Sequence, residues 1–210
     1  MRTCHPRIFH SPQYKGSRAR TADIGSSRLR DAAPIPDRPA PPTTLRIAVL
    51  TISDATSRGE RADDSGDAIV EWVAAIDGDV AARAVVSDDV VPIVRQLLAW
   101  CDADVADLVL TTGGTGLSAR DVTAAATRVV IEHEAIGIAE RLRAVTGAAF
   151  PRASLSNGVA GVRSRTLIVN LPGSTRGVRD MLAALEPIVE HAVDIVRGAQ
   201  TDHESVHQTR

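Results

Sequence analysis

Short apolar runs alternate with longer segments of helical periodicity from residue 45 to residue 198. Val, Ile and Leu dominate the short runs, which therefore predict buried strands. These strands are predicted at 45–52, 80–86, 107–111 and 166–170, with a short extended stretch at 154–162. The longer segments repeat apolar side chains at i, i+3, i+4 and i+7, which predicts helices. They begin near Asp64, Val90, Val122 and Val178.

Two residues interrupt the helical segments. Gly137 predicts a break in the segment 122–146, and Pro187 predicts the start of a new helix that ends at Gly198. The alternation of strands and helices predicts an α/β domain over residues 45–198. Its architecture is a three-layer sandwich around a mostly parallel central sheet.

Residues 1–44 have a different character. They hold eight basic and three acidic residues and seven of the eleven prolines, without any apolar period. Such a segment buries too little apolar surface to fold, so we expect a disordered basic, Pro-rich arm. This arm is a solvated tail, upstream sequence added by a misassigned start codon, or a tether for an acidic partner or membrane. Its charge of +5 leaves −7 on the remainder, of which residues 199–210 are predicted to be a flexible polar tail.

Composition excludes several classes of protein. Lys15 is the only lysine and lies in the arm, so there is no P-loop. Five aromatic residues are too few for a base-stacking platform, and a net charge of −2 argues against nucleic-acid binding. Two cysteines make no disulfide framework, and no apolar stretch is long enough to span a membrane. We therefore expect a soluble cytoplasmic protein.

Polar residues follow four of the predicted strands. They form the segments Ser53-Asp54, Ser87-Asp88, Thr112 to Asp121 and Asn170 to Ser174. Ligands of open α/β sheets bind beyond the carboxyl ends of the strands, so these segments predict the binding site.

The strongest local signal is the run Thr111-Thr112-Gly113-Gly114-Thr115-Gly116. Glycines allow positive φ and close approach to a ligand, and successive N–H groups can hold a phosphate. Arg120 would add a fixed positive charge. The simpler interpretation is a tight strand-to-helix turn. The match to G-x-G-x-x-A through Gly114, Gly116 and Ala119 lacks the context of a dinucleotide site and is interpreted as coincidence.

Two carboxylates, Asp88 and Asp121, fall at predicted ligand-facing ends of strands. Paired carboxylates near phosphates suggest a hard cation such as Mg²⁺. For Asp88, simple capping of the following helix is the alternative.

Three segments carry a resemblance to a known family. Residues 46–54 (RIAVLTISD), 108–123 (LVLTTGGTGLSARDVT) and 167–174 (LIVNLPGS) resemble the molybdopterin adenylyltransferases of molybdenum-cofactor biosynthesis. The same fold occurs in related domains of gephyrin and the molybdenum insertases. The resemblance covers residues 45–198 and implies a molybdopterin-binding α/β domain.

This resemblance implies a reaction and its participants. The terminal phosphate of molybdopterin attacks the α-phosphorus of Mg-ATP, which gives adenylyl-molybdopterin and pyrophosphate. Mg²⁺ is the implied cofactor, and ATP and molybdopterin are the substrates. A homotrimer is implied, with molybdenum insertase and molybdopterin synthase as protein partners and neither nucleic acid nor membrane involved.

The resemblance also assigns residues. Asp88 and Asp121 match the family's essential acids and would align Mg²⁺ and phosphate. The implied substrate-binding residues are Ser53, Asp54, Thr112, Gly113, Gly114, Thr115, Gly116, Arg120, Ser156, Asn170, Pro172, Gly173 and Ser174. Because aromatics are scarce, we expect backbone and small polar groups, rather than stacking, to hold the pterin ring.

One departure from the family pattern keeps alternatives open. Ala124-Ala125 stands where the family usually has Pro and an acid after Asp-x-Thr. An active adenylyltransferase is the leading hypothesis. The alternatives are a paralogue that binds molybdopterin or a partner without AMP transfer, and an enzyme that cleaves nucleotide pyrophosphates.

Overall fold

The computed structural model describes residues 44–198. The predicted arm up to residue 43 and the predicted tail 199–210 lie outside the described residues. The strands are β1 (Arg46–Ile52), β2 (Asp79–Val86), β3 (Leu108–Thr112), β4 (His133–Glu134), β5 (Ala160–Arg163) and β6 (Thr166–Leu171). The helices are α1 (Asp54–Ser57), α2 (Asp64–Ala75), α3 (Val90–Asp102), α4 (Thr123–Val130), α5 (Ile136–Ala149) and α6 (Thr175–Arg197), with a 3₁₀ turn at Pro151–Leu155.

The six strands form one sheet in the order β2-β1-β3-β6-β5-β4. β2, β1, β3 and β6 are parallel, whereas β5 and β4 add antiparallel to the far edge. The carboxyl ends of the four parallel strands therefore share one edge of the sheet. The prediction of a mostly parallel sheet is confirmed.

Helices cover both faces of this sheet. Ile47 and Val49 of β1 pack with α2, α5 and α6, while the alternating residues Ala48, Leu50 and Ile52 pack with α3 and α4. Because both faces are covered, successive residues Ile47 to Leu50 of β1 are all apolar rather than alternating with polar ones. The predicted three-layer architecture is thus confirmed.

The predicted division of the segment 122–146 into two helices near Gly137 is confirmed, because α4 ends at Val130 and α5 begins at Ile136. Gly137 lies inside α5, and a Cβ placed there would meet open space. The chain leaves the helix earlier, at Ile131, because the edge strand β4 pairs with β5. Backbone hydrogen bonds from Glu132 to Val162 and from Ala135 to Ala160 hold this connection.

The predicted new helix at Pro187 is wrong, since α6 continues through it. Leu185 and Val189, on either side of the proline, are buried in the same core. Burial of one continuous apolar face outweighs the hydrogen bond that proline removes. Arg141 of α5 donates to the carbonyl of Ala184 (3.0 Å), close to the interruption. The predicted end is correct, because Gly198 closes α6 with φ +74°.

The predicted extended stretch 154–162 is confirmed only in its last part. The 3₁₀ turn occupies its beginning, and β5 starts at Ala160. Pro151 stands in the first turn of that 3₁₀ segment, where its missing N–H costs nothing.

A buried ion network closes the amino-terminal edge of the parallel strands. The carboxylate of Asp107, which is 2% exposed, accepts from the backbone N–H (2.9 Å) and the guanidinium of Arg46. It also pairs with Arg197 at the end of α6, and Arg197 pairs with Asp104. This network ties β1, β3 and α6 together at the edge away from the polar loops. Within residues 44–198, no helix is long and apolar enough to cross a bilayer.

Candidate active site

The loop after β3 has the backbone conformation that its glycines predict. Gly113 has φ +100° and Gly114 has φ +61°, a region that side chains disfavour. A Cβ on Gly113 would overlap the carbonyl oxygen of Ile52, and a Cβ on Gly114 would overlap the hydroxyl of Thr123. Both positions therefore require glycine for space as well as for conformation.

Hydrogen bonds hold this glycine loop, residues 113–116, on two sides. The Thr123 hydroxyl donates to the Gly113 carbonyl (2.8 Å), and the Thr123 N–H donates to the Gly114 carbonyl (3.1 Å). The Thr112 hydroxyl donates to the carbonyl of Pro172 (2.8 Å) in the loop after β6. The loops after β3 and β6 are thereby joined to each other and to the start of α4.

These loops border a cavity of about 370 Å³. Its walls come from three places: the glycine loop, the start of α6 with the loop before it, and the segment between α5 and β5. The lining residues are Gly114, Thr115, Gly116, Asp121, Thr146, Phe150, Arg152, Ala153, Leu155, Ser156, Pro172, Gly173, Ser174, Gly177, Asp180 and Met181. Eight of the predicted site residues are among them.

Asp121 is an acid in the wall of this cavity. Hydrogen bonds from Ser118, including its backbone N–H at 2.8 Å, and from the backbone of Gly116 hold the pKa of the Asp121 carboxyl below its ordinary value, against the opposing effect of burial. Asp121 is therefore ionised at neutral pH. Its carboxylate also fills the space next to Gly116 where a Cβ would lie.

Asp88 lies in a second cluster, with Asp54 and Arg120. The Asp54 N–H donates to the Asp88 carboxylate (2.8 Å), and the Asp88 N–H donates to the Asp54 carboxylate (3.1 Å). The other Asp54 oxygen accepts from the Arg120 guanidinium (2.9 Å). This reciprocal arrangement links the loops after β1, β2 and β3.

Three other predicted site residues have structural partners. Asn170 is buried, and its amide bonds the hydroxyls of Thr111 and Thr127 and the N–H of Val159. Ser53 caps α1 through the N–H of Thr56. With Thr112 bonded to the Pro172 carbonyl, none of the three is among the residues lining the cavity described above.

A smaller cavity of about 200 Å³ shares Gly173 and Ser174 with the first. Arg61 lines it and donates to the hydroxyl of Ser53 (3.1 Å). Ser174 also caps α6, accepting from the Gly177 N–H. The start of α6 therefore forms the border between the two cavities.

Sequence reasoning missed several residues of the cavity wall. Phe150, Arg152 and Asp180 line it, and Phe150 is 44% exposed. One of the few aromatic side chains thus lies in the cavity wall, and the expectation that backbone and small polar groups rather than stacking hold the pterin ring stays a prediction. No motif marks these residues, since they come from α6 and from the segment after α5 rather than from the ends of the parallel strands.

The two acids predicted as metal ligands lie in these two different clusters. Within residues 44–198, no group of three or more His, Cys, Asp or Glu side chains could hold a metal ion by protein ligands alone. Any cation at Asp88 or Asp121 would therefore need oxygen ligands from a bound substrate or from water.

A glycine loop, a helix start and an ionised acid around one cavity, at the carboxyl edge of a parallel sheet, form the arrangement of an α/β protein that binds phosphate esters. The family described as "Probable molybdopterin binding domain" matches residues 48–191. This match spans more than half of the chain, so the protein belongs to that family. The resemblance found in the sequence is thereby confirmed.

Similar proteins agree with this assignment. A molybdopterin adenylyltransferase of Helicobacter pylori (strain J99) is 37% identical over 157 residues, which cover 74% of this chain and 89% of the relative. Molybdenum cofactor biosynthesis protein B of Staphylococcus aureus (strain COL) is 36% identical over 155 residues, covering 71% and 90%.

Solved structures give the same picture. The molybdopterin biosynthesis enzyme MoaB from Thermus thermophilus is 46% identical with a TM-score of 0.70, covering 74% of this chain and 98% of that one. The molybdopterin biosynthesis Mog protein from Mycobacterium ulcerans is 35% identical with a TM-score of 0.68, covering 73% and 99%. The chain is therefore a protein of molybdenum-cofactor biosynthesis.

Proposed function

We propose that the protein transfers the adenylyl group of Mg-ATP to molybdopterin, giving adenylyl-molybdopterin and pyrophosphate. The observation that carries this proposal is the meeting of the glycine loop, the ionised Asp121 and the start of α6 in one cavity of about 370 Å³. A cavity of this volume accommodates a ring-bearing phosphate ester. The relatives named as molybdopterin adenylyltransferases support the choice of substrates.

The reaction requires positioning more than covalent catalysis. A terminal phosphate oxygen of molybdopterin forms a bond to the α-phosphorus of ATP, and the bond to the bridging oxygen breaks. Pyrophosphate leaves with the electron pair of that bond. Backbone N–H groups of the glycine loop and the amino-terminal end of α6 favour the negative charge of the phosphates. Arg120 and Arg152 contribute positive charge nearby.

Asp121 and Asp88 fit the proposed role as Mg²⁺ ligands. Both carry hard carboxylate oxygens, and the low pKa of Asp121 keeps it anionic at neutral pH. Asp54 holds Asp88 in place by bonding its backbone N–H, and Arg120 holds Asp54. When bound, Mg²⁺ would neutralise charge on the phosphates.

An assay with α-labelled ATP tests the proposal. The purified full chain, incubated with Mg²⁺ and molybdopterin, should form labelled adenylyl-molybdopterin. Asp121→Asn should lower transfer by about 100- to 1,000-fold while pterin binding persists, because a charge near the reacting phosphates is lost. Asp77→Asn is the matched control: Asp77 lies in the turn between α2 and β2 with φ +54°, which Asn tolerates. Normal turnover by Asp121→Asn would contradict the assigned role of Asp121.

The same assay separates the alternatives. Tight pterin binding without labelled product would show that the protein binds molybdopterin but does not transfer AMP. Labelled AMP formed without molybdopterin would indicate pyrophosphate cleavage instead.

The departure from the family pattern that raised these alternatives, Ala124-Ala125, is accommodated in the fold. Ala124 is buried in the first turn of α4, Ala125 is exposed, and neither is among the residues lining the cavity. Thr123, which precedes them, still holds the glycine loop.

A cytoplasmic homotrimer that receives molybdopterin from molybdopterin synthase and passes its product to a molybdenum insertase completes the proposal. Its support is the family resemblance. Light scattering of the native protein should give three times the chain mass of 22.2 kDa, and a monomer mass would contradict the trimer.

A further inference from the structure

Phe150 is an apolar aromatic residue that is nevertheless exposed to solvent. Among residues 44–198 the aromatic side chains are Trp72, Trp100 and Phe150. Trp100 is buried, and Trp72 donates to Glu186 (2.8 Å). Phe150 is 44% exposed and has no polar group to hydrate, yet it lies in the wall of the cavity. Covering its ring with another apolar surface would be favourable.

The backbone fixes the position of this ring. The Phe150 N–H donates to the carbonyl of Thr146 at the end of α5, and the Phe150 carbonyl accepts from Ala153, both at 2.9 Å. Pro151 follows and disfavours a helical conformation of Phe150, which has φ −140° and ψ 89°. The ring therefore stands at the cavity because α5 must end there.

A positive charge lies against the ring. The guanidinium carbon of Arg176 is 6.0 Å from the centroid of the Phe150 ring, within the range of a cation–π contact. Arg176 belongs to the first turn of α6, where the helix dipole disfavours a cation. Asp180, one turn later, offsets part of this cost at 3.7 Å. A cation is thus kept at a costly position beside an exposed aromatic ring.

The Phe150 wall is joined to the phosphate-binding part of the cavity. The segment 150–156 contributes Phe150, Arg152 and Ser156 to the lining. Directly after it, the Asn157 N–H donates to the carbonyl of Thr115 in the glycine loop (2.8 Å). A ligand with a phosphate at the glycine loop and a flat ring at Phe150 would contact both the polar and the aromatic part of the cavity wall.

We propose that Phe150, with Arg176 against its ring, is the surface on which the planar heteroaromatic ring of a substrate stacks. Phe150 then determines specificity for ring-bearing phosphate esters. The inference rests on the proposed function, because both substrates of that reaction, the pterin phosphate and ATP, carry such a ring. The assay must therefore distinguish a pterin ring from an adenine ring.

Binding measurements on the full chain test this role. The probes are free pterin, whose fluorescence reports stacking, AMP, and pyrophosphate as a probe without a ring. Phe150→Ala should weaken binding of a ring probe by about 5- to 100-fold, since stacking on an aromatic side chain contributes this much. Phe150→Trp should restore binding, and Phe150→Leu should restore it only in part. Pyrophosphate affinity should not change.

Controls separate stacking from a structural effect. Ile195→Ala removes a side chain of similar exposure (53%) from the far end of α6 and should leave all three affinities unchanged. Arg176→Gln should weaken ring binding by only about 2- to 5-fold, as expected for an exposed cation–π contact. Thermal unfolding checks that each variant is folded.

The outcomes are distinct. Loss of pterin affinity alone, or of AMP affinity alone, supports stacking and identifies the ring. Unchanged affinity for both rings in Phe150→Ala overturns the inference. Equal loss for pyrophosphate, or a changed native mass, overturns it too, because Phe150 would then shape the cavity or contact another subunit. Unaltered adenylyl transfer and unaltered ring binding in Phe150→Ala would refute stacking and leave the proposed function intact. Absence of transfer by the unmodified chain, with Phe150-dependent ring binding, would refute only the function.

Discussion

Replacing each of three glycines by alanine measures how much the conformation and the crowding at Gly113 of the glycine loop contribute to stability. Gly113 combines positive φ with a crowded position, because a Cβ would overlap the Ile52 carbonyl. Gly59 has positive φ (+72°) but open space around it. Gly137 lies in α5 with open space and no positive φ. Alanine at these positions separates the conformational cost from the steric one.

The expected changes in the free energy of unfolding differ in sign. Gly137→Ala should stabilise the protein by about 0.5–1 kcal/mol, because alanine is the better helix former. Gly59→Ala should cost about 1–2 kcal/mol for the left-handed conformation alone. Gly113→Ala carries a similar conformational cost and a further ~1–3 kcal/mol for the clash with β1, which makes about 2–5 kcal/mol. For a domain of this size, each kcal/mol shifts Tm by about 2–4 °C.

Thermal and urea unfolding of the three variants provide the measurement. Gly113→Ala should lower Tm most, Gly59→Ala less, and Gly137→Ala should raise it. Adenylyl transfer should fall only for Gly113→Ala, because relief of the clash moves the loop that is proposed to hold phosphate. Equal destabilisation by Gly113→Ala and Gly59→Ala would refute the steric argument. Full activity of a destabilised Gly113→Ala would refute the placement of the loop in the active site.

Other features give further predictions. Asp107→Asn should cost about 1.5–3 kcal/mol in urea unfolding, because it removes the buried carboxylate that pairs with Arg46 and Arg197 and leaves them only the more exposed Asp104, while KM stays unchanged; a cost below ~0.5 kcal/mol would contradict the importance of this network. Burial raises the pKa of the Cys101 thiol to about 11, so in a Cys4→Ser variant Cys101 should react with thiol reagents at pH 8 only after unfolding. Because the pKa of Asp121 is depressed, its ionisation stabilises the fold above the ordinary carboxyl value of 3.8, and this contribution disappears as the pH falls through the lower folded pKa. Asp121→Asn should therefore destabilise the protein at pH 7 and converge with the unmodified chain in acid, and a constant difference would contradict this.

The fold was predictable to the extent that burial on two faces leaves a pattern in the sequence. The apolar run Ile47 to Leu50 in β1 is typical of a strand covered on both faces, and the polar residues after β1 marked the edge of the sheet that carries the site. The errors arose where tertiary contacts overrule local preference. The division into two helices near Gly137 was predicted, but its exact position was not, because pairing of β4 with β5 sets the end of α4 at Val130. Pro187 was overruled by the continuous apolar face of α6.

The candidate site was predictable only where a strand end supplies it. Asp121 and the glycines belong to one contiguous motif, so their neighbourhood could be inferred. Asn170 belongs to a motif as well, but the sequence does not reveal that its amide is fully engaged inside the protein. Phe150 reaches the cavity because α5 ends beside it, which is a matter of helix length and packing rather than of local pattern.

The reciprocal hydrogen bonds between the loops of Asp54 and Asp88, and the bond from Thr112 to Pro172, have a consequence for protein synthesis. The site draws on chain from residue 53 to residue 181, and its last wall is the start of α6. A nascent chain that has not yet released β6 from the ribosome lacks one wall of the cavity, whatever it has already folded. A ligand that contacts all three walls can therefore bind in full only after α6 has folded. It can only hold the finished domain against unfolding, by an amount that its concentration relative to its dissociation constant determines.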